Sequence, residues 1–291
     1  MIAPNRDIKK IIIGFQKNEI TEYFIYRALL AMMRNEHNRD VLRRISEEEM
    51  RHYHIWHKYS GKKIRPDNLK RWFYIIISLL FGVSFCIKLM EKGESNAQAA
   101  YGRISDAVPE AGEIKKQEEE HEARLIDMIE EEKLEYMGSV VLGLNDALVE
   151  FTGALAGFTF ALQDSRLIGM VGLIMGFSAS LSMAASEYLS TKTESTDKNP
   201  LKASFYTGVT YLLTVIVLVF PYFILGDYGL SLFLMIALAV ALIFMFTFYY
   251  SVVRDIPFGE RFTEMLGISM GVAALSFVIG IIVKKVLQID I

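Results

Sequence analysis

Cysteine is nearly absent from this chain: of 291 residues, only Cys86 carries a thiol. A single cysteine excludes an intrachain disulfide, a CxxC metal knuckle and a rubredoxin-type iron centre. An excess of one charge is missing too. Basic residues number 31 against 34 acidic ones, for a net charge of −3, so nothing points to nucleic acid as a partner. The N-terminus, MIAPNRDIKK, is charged and lacks a secretory pattern, so the first part of the chain is expected in the cytoplasm. Histidine is missing after residue 121: His37, His52, His54, His57 and His121 are the full set.

What is present divides in two. Hydrophobic residues make up 52% and charged residues 22%, but Glu, Lys, Arg and His crowd into residues 1–136. The chain beyond is mostly apolar, which predicts a soluble module over 1–136 and a membrane module over 137–291. Both read as helical, giving an all-α fold. In the first, Ile8, Ile11, Ile12, Phe15, Glu19, Glu22 and Tyr26 recur at helical spacing and predict a helix over 6–34. A second is expected over about 38–59, ending at Gly61. A third follows Pro66, over about 67–105, and a fourth follows Pro109, over about 110–134. Four helices of this length suit a bundle.

The stretch Trp72 to Ile87 has 16 residues without a charge. A spanning helix needs about 20 apolar residues, so this stretch is expected to be a buried or membrane-apposed half of the third helix. True spans are expected near 138–162, 167–190, 203–226, 229–252 and 264–284. With the N-terminus inside, loop 191–202 (Lys192, Lys198, Lys202) and loop 253–263 (Arg254, Arg261) are cytoplasmic. Arg166, Lys284 and Lys285 then lie outside, so the positive-inside balance favours this orientation modestly.

Glu-x-x-His occurs twice, as Glu49-Met-Arg-His52 and Glu118-Glu-Glu-His121. Residues three apart share one face of a helix. A carboxylate beside an imidazole suits iron, manganese or zinc. Both motifs lie in acidic runs, where such a pair arises easily by chance. Their order along the chain adds information: Glu19, then Glu-x-x-His, then Glu94, then Glu-x-x-His. Two Glu-x-x-His helices plus one Glu from each of two others is the dinuclear carboxylate arrangement of four-helix bundles. Glu19 and Glu94 are each followed seven residues later by a tyrosine, Tyr26 and Tyr101.

The segments NEITEYFIYRALL, EEEMRHYHIW, EKGESNAQAAYGRIS and QEEEHEARLIDMI resemble the four helices of a rubrerythrin-type, ferritin-like domain. The resemblance implies a di-iron site ligated by Glu19, Glu49, His52, Glu94, Glu118 and His121, with Glu49 and Glu118 bridging. Glu22 and Glu91 stand one helical turn from ligands as secondary candidates. A peroxidase of this family usually carries a rubredoxin-like CxxC domain, which Cys86 alone cannot supply.

The membrane module holds charges where they are costly. Asp146 and Glu150 share one face of the first span, and Met183 and Glu187 share one face of the second. A charge at the bilayer centre costs about 2.5–3.5 kcal/mol on insertion scales, so it usually faces a pathway or a partner. Carboxylates beside a thioether suit a borderline cation such as ferrous iron. SVVLGLNDALVEFTGALAGFTFAL and GFSASLSMAASEYLSTKTE are similar to the first two spans of the vacuolar iron transporter family. That resemblance implies a five-span homodimer exporting ferrous iron or manganese from the cytoplasm by proton antiport. Asp146 and Met183 would line the ion pathway, with Asn145, Glu150 and Glu187 nearby. The Glu-rich insertion that plant members carry after the second span is replaced here by the short TKTESTDKNPLK. The expected whole is a multi-pass cell-membrane exporter whose N-terminal domain captures or senses metal, its partners being divalent ions, lipid and a second copy. The alternative is a membrane-anchored di-iron ferroxidase or peroxidase.

Overall fold

The helical periodicity becomes ten helices among the residues that the computed structural model describes, 6–33, 35–94, 108–127, 136–194 and 198–287. They are α1 (Arg6–Leu30), α2 (Glu36–Ser60), α3 (Asn68–Phe81), α4 (Val83–Glu94), α5 (Ala111–Asp127), α6 (Met137–Leu162), α7 (Ser165–Thr193), α8 (Pro200–Ile224), α9 (Tyr228–Arg254) and α10 (Phe258–Leu287). Contacts divide the chain into two compact units, Met1–Glu130 and Glu131–Ile291.

In the first unit, α1 packs along α2, α3 lies on α1, and α5 contacts α2 and α4. Local chemistry sets the ends. The Asn35 side chain accepts from the Asn38 N–H to start α2, and Gly61 closes it in the left-handed region at φ 63°. The Asp67 carboxylate accepts from the Leu69 and Lys70 N–H groups to start α3. The apolar face of α1 meets α2 through Phe15 and Trp56, whose rings stack at 5.3 Å. Ile12, Val108, Ala111 and Ile114 complete that core. Each fully buried side chain of this size contributes about 1.5–3 kcal/mol.

The expected third helix is not continuous. It breaks at Gly82, whose φ of 90° no ordinary L-residue adopts comfortably, into α3 and α4. The two pieces treat their apolar residues differently. Phe85, Cys86, Ile87 and Met90 of α4 are buried, whereas α3 buries Tyr74 and Ile77 and leaves a row of large apolar side chains exposed. The part of the expected third helix over 95–107 and the end of the expected fourth over 128–134 lie outside the described residues.

In the second unit α6 is the hub, contacting α7, α8, α9 and α10. Its buried face (Leu144, Ala147, Leu148, Phe151, Leu155) forms the core with Tyr211, Val215 and Leu218 of α8 and Met235, Ala239 and Ile243 of α9. Glycine permits close crossings: a Cβ on Gly280 of α10 would stand 2.5 Å from the Gly157 carbonyl oxygen of α6, and one on Gly143 of α6 would stand closer still to the Thr207 carbonyl oxygen of α8. Helices α6–α10 run 25–30 residues, and all five are long and apolar enough to cross a membrane. At 1.5 Å per residue each exceeds the roughly 30 Å hydrocarbon core. Their outward faces are apolar, with Ile174, Phe177, Phe233 and Leu275 exposed, as a lipid-facing surface requires.

Candidate metal centre

Three helices of the first unit turn acids and imidazoles inward. The helical repeat puts Glu19 and Glu22 on one face of α1, Glu49, His52 and Trp56 on one face of α2, and Glu118 and His121 on one face of α5. One ligand atom from each of Glu19, Glu49, His52 and Glu118 falls within a group no wider than 4.8 Å. His121 joins them, its ring 5.8 Å from that of His52.

The two histidines are held alike. His52 directs Nε2 at Gln117 Oε1 (2.7 Å), and His121 directs Nε2 at Glu48 Oε2 (2.5 Å). Both partners are acceptors, so each Nε2 carries the proton. Each Nδ1 then faces the cluster. His52 Nδ1 stands 2.8 Å from Glu118 Oε1 and 3.4 Å from Glu19 Oε2. His121 Nδ1 stands 3.3 Å from Glu49 Oε1 and 3.5 Å from Glu118 Oε2. Trp56 Nε1 donates to the other Glu19 oxygen at 2.9 Å, orienting that carboxylate.

The inward atoms Glu19 Oε2, Glu49 Oε2, His52 Nδ1, Glu118 Oε1 and His121 Nδ1 are buried with no hydrogen bond of regular geometry, the imidazole–carboxylate approaches aside. Five of them converging, with the outer nitrogen of each imidazole already engaged, match the donor set and supporting bonds of a site for iron, manganese or zinc.

Electrostatics agree. Burial opposes charge on His52, but the carboxylates of Glu118 and Glu19 outweigh it and push its pKa up to about 10. His121 is likewise raised, against the effect of burial, by Glu118 and Glu48. Burial works to raise Glu118, yet the two imidazoles hold it down at about 2. Glu49 moves the other way, well above the usual carboxylate range, through burial and the neighbouring charges of Glu118 and Glu19. Protons therefore partly neutralise the crowded acids, and a cation can replace them.

Three expected ligands stand differently. Glu22 is buried, and Lys70 Nζ of α3 lies 3.0 Å from its Oε1, so an ammonium already compensates this carboxylate. Glu91 and Glu94 fall within α4, but their side chains lie outside the described residues. Glu48, Gln117, Trp56 and Lys70 were not singled out from the sequence. Trp56 could have been found, because it lies four residues after His52 and seven after Glu49. Gln117 and Lys70 carry no spacing signal. Cys86 is buried, and its thiol is pushed up to about 12 by that burial, so it is no nucleophile.

In the second unit the candidates lie on α6 (Asn145, Asp146, Glu150) and α7 (Met183, Glu187). Asp146 and Asn145 are half-buried, and the Asn145 Oδ1 is buried without a partner. Glu150 is exposed at the side of α6 and accepts a 2.7 Å hydrogen bond from the fully buried Tyr211 of α8. Met183 packs at the edge of the core, and Glu187 accepts a 2.6 Å bond from Ser139 Oγ near the start of α6. Thr207 Oγ1 of α8 donates to the Ser139 carbonyl at 2.9 Å, fixing that turn. The helical rise separates Ser139 from Asp146 by about 10 Å along α6, so Glu187 lies near the helix end and Asp146 deeper. Tyr211 and Ser139 were not read from the sequence, since a lone hydroxyl in an apolar span has many uses.

No curated protein and no solved structure matches this chain. A family model does match α6, α7 and the loop that follows, the stretch holding Asn145, Asp146, Glu150, Met183 and Glu187: residues 137–198 match the model of the VIT family.

Proposed function

We propose that this chain is a membrane exporter of ferrous iron, or of manganese as the nearest rival, driven by proton antiport. In this reading the first unit is a cytoplasmic, ferritin-like bundle that captures or senses the ion. The observation that carries the proposal is the pairing, in one chain, of two carboxylate systems. One is the buried Glu19–Glu49–His52–Glu118–His121 cluster, whose inward oxygens and nitrogens converge on one another. The other is Asp146, Glu150 and Glu187, carried on two helices long and apolar enough to cross a membrane, in the segment that matches the VIT family. Vacuolar iron transporters move ferrous iron or manganese, and a borderline cation suits both donor sets.

Glu19, Glu49, His52, Glu118 and His121, with Glu94, would hold metal in the bundle. Bound there, iron would add redox chemistry that the side chains lack. The chain's own contribution is to orient the ligands through Trp56, Gln117 and Glu48, exclude water, and release protons from the imidazoles. The transported ion then passes Glu187 and Met183 to Asp146 and Glu150, whose carboxylates exchange it for protons. Two copies of the chain form the transporter. Joining the collector to the carrier keeps captured ions at high local concentration near the pathway.

The test is ferrous iron flux into inside-out vesicles bearing a pH gradient. The wild-type chain should give gradient-dependent flux, and Asp146→Ala should reduce it to background with bundle metal content unchanged. Normal flux in Asp146→Ala would remove the pathway assignment. Absence of flux together with rapid oxygen consumption on iron addition would favour a membrane-anchored ferroxidase.

A further inference from the structure

Helix α3 is apolar on both faces, and the bundle uses only one of them. Its inner side, with Tyr74, Ile77 and Ser78 buried, packs on α1 and the turn after it, where Ser78 Oγ donates to Met32 Sδ at 3.3 Å. Its outer side presents Leu69, Trp72, Phe73, Ile76, Leu79 and Leu80, which are 48–84% exposed. The spacing 69, 72/73, 76, 79/80 makes one stripe along three turns. An exposed apolar stripe of this size marks an interaction surface.

The charges beside the stripe indicate what covers it. No acidic residue occurs between Asp67 and Glu91, and Asp67 is itself paired with Lys17 at 2.6 Å. The exposed cations Lys62, Lys63 and Arg65 lie just before the helix. Arg71 sits at the stripe's edge, its guanidinium 5.7 Å from the Trp72 ring and 5.8 Å from that of Phe24 on α1, itself partly exposed. Tryptophan and arginine flanking an apolar face, with a cationic approach free of acids, is the pattern of a helix lying in a bilayer interface. The same chain supplies five spanning candidates, so a bilayer is always at high effective concentration.

We propose that the outer face of α3 lies in the headgroup region of an anionic bilayer, with Trp72, Ile76 and Leu79 entering the acyl boundary and Lys62, Lys63 and Arg65 on the lipid phosphates. α3 is then a monotopic anchor of the soluble unit and not a sixth span: its 14 residues extend about 21 Å.

The chain provides its own probe, because its two tryptophans both lie in the first unit and only Trp72 is exposed; Trp56 is fully buried. The full chain is reconstituted in phosphatidylcholine–phosphatidylglycerol vesicles with brominated acyl chains, and its fluorescence is compared with that of Trp72→Phe. The expected difference spectrum is blue-shifted and strongly quenched by brominated lipid, while the Trp56 emission remaining in Trp72→Phe is unquenched. Charge reversal at Lys62, Lys63 and Arg65 should weaken docking about fivefold per cation in these vesicles. Trp72 emission that is water-like and unquenched would overturn the proposal. So would blue-shifted emission that brominated lipid leaves unquenched, accompanied by cross-linking between two copies at Leu79→Cys, which would assign the face to a second copy.

Discussion

The first unit surrounds Glu19, Glu49 and Glu118 with two imidazoles on a buried cluster, and each of these carboxylates has an imidazole nitrogen within 4 Å. In the second unit, Asp146, Glu150 and Glu187 form no ion pair among the described residues; Glu150 and Glu187 are held by hydroxyls, from Tyr211 and Ser139. The difference is one of fit to task. A site that must hold an ion benefits from nitrogen ligands, fixed orientation and exclusion of water. A route that must release an ion benefits from weaker, oxygen-rich and more open positions, where occupancy is brief. Charge compensation, more than residue type, separates the binding region from the proposed passage.

The strongest way to break that contrast is to empty the binding region. Glu49→Ala with Glu118→Ala should reduce bundle metal to background, measured by elemental analysis of the purified chain, yet leave some Asp146-dependent vesicle flux. Loss of all flux would mean that the two regions work as one. Next in size is an orienting residue. Gln117→Leu leaves every candidate ligand in place but removes the acceptor of His52 Nε2 and should weaken metal affinity by about 10–100-fold. An unchanged affinity would show that His52 needs no support.

The pH dependence follows from the raised imidazoles. His52, pushed up to about 10, carries an extra proton at neutral pH while no metal is bound, and His121 is shifted in the same direction by Glu118 and Glu48. A metal ligand must be deprotonated, so binding releases protons and affinity rises with pH, on the order of tenfold per pH unit for each imidazole displaced. Calorimetry in buffers of different ionisation enthalpy measures this directly, and zero proton release would exclude His52 as a ligand. The smallest effect is expected in the second unit. Tyr211→Phe removes one hydrogen bond from Glu150, a loss of about 0.5–1.5 kcal/mol. It should shift the pH profile of flux without changing bundle metal content.

Much of this was legible in the sequence because it is local. Glu49 and His52 share a face through an i,i+3 step, and so do Glu118 and His121; no tertiary contact is needed to infer it. The five long apolar helices followed from chain length against bilayer thickness. The third helix was misread as continuous because composition over 67–105 gives no sign that Gly82 takes a positive φ. Trp72 to Ile87 was read as one apolar block, whereas the break turns α4 into the core and leaves half of α3 outside.

The sequence by itself therefore determined the helices apart from the break at Gly82, the division into a charged and an apolar region, and the faces on which the acids and imidazoles lie. Each depends on periodicity and composition within a few turns. Only the tertiary structure decided that His52 leans on Gln117, 65 residues away, that His121 leans on Glu48, 73 away, and that Glu150 meets Tyr211, 61 away. Those pairings depend on the rotation and axial offset of one helix against another. These are set by packing the side chains between helices, such as Phe15 on Trp56 and Gly280 on Gly157, and no spacing along a single helix encodes them.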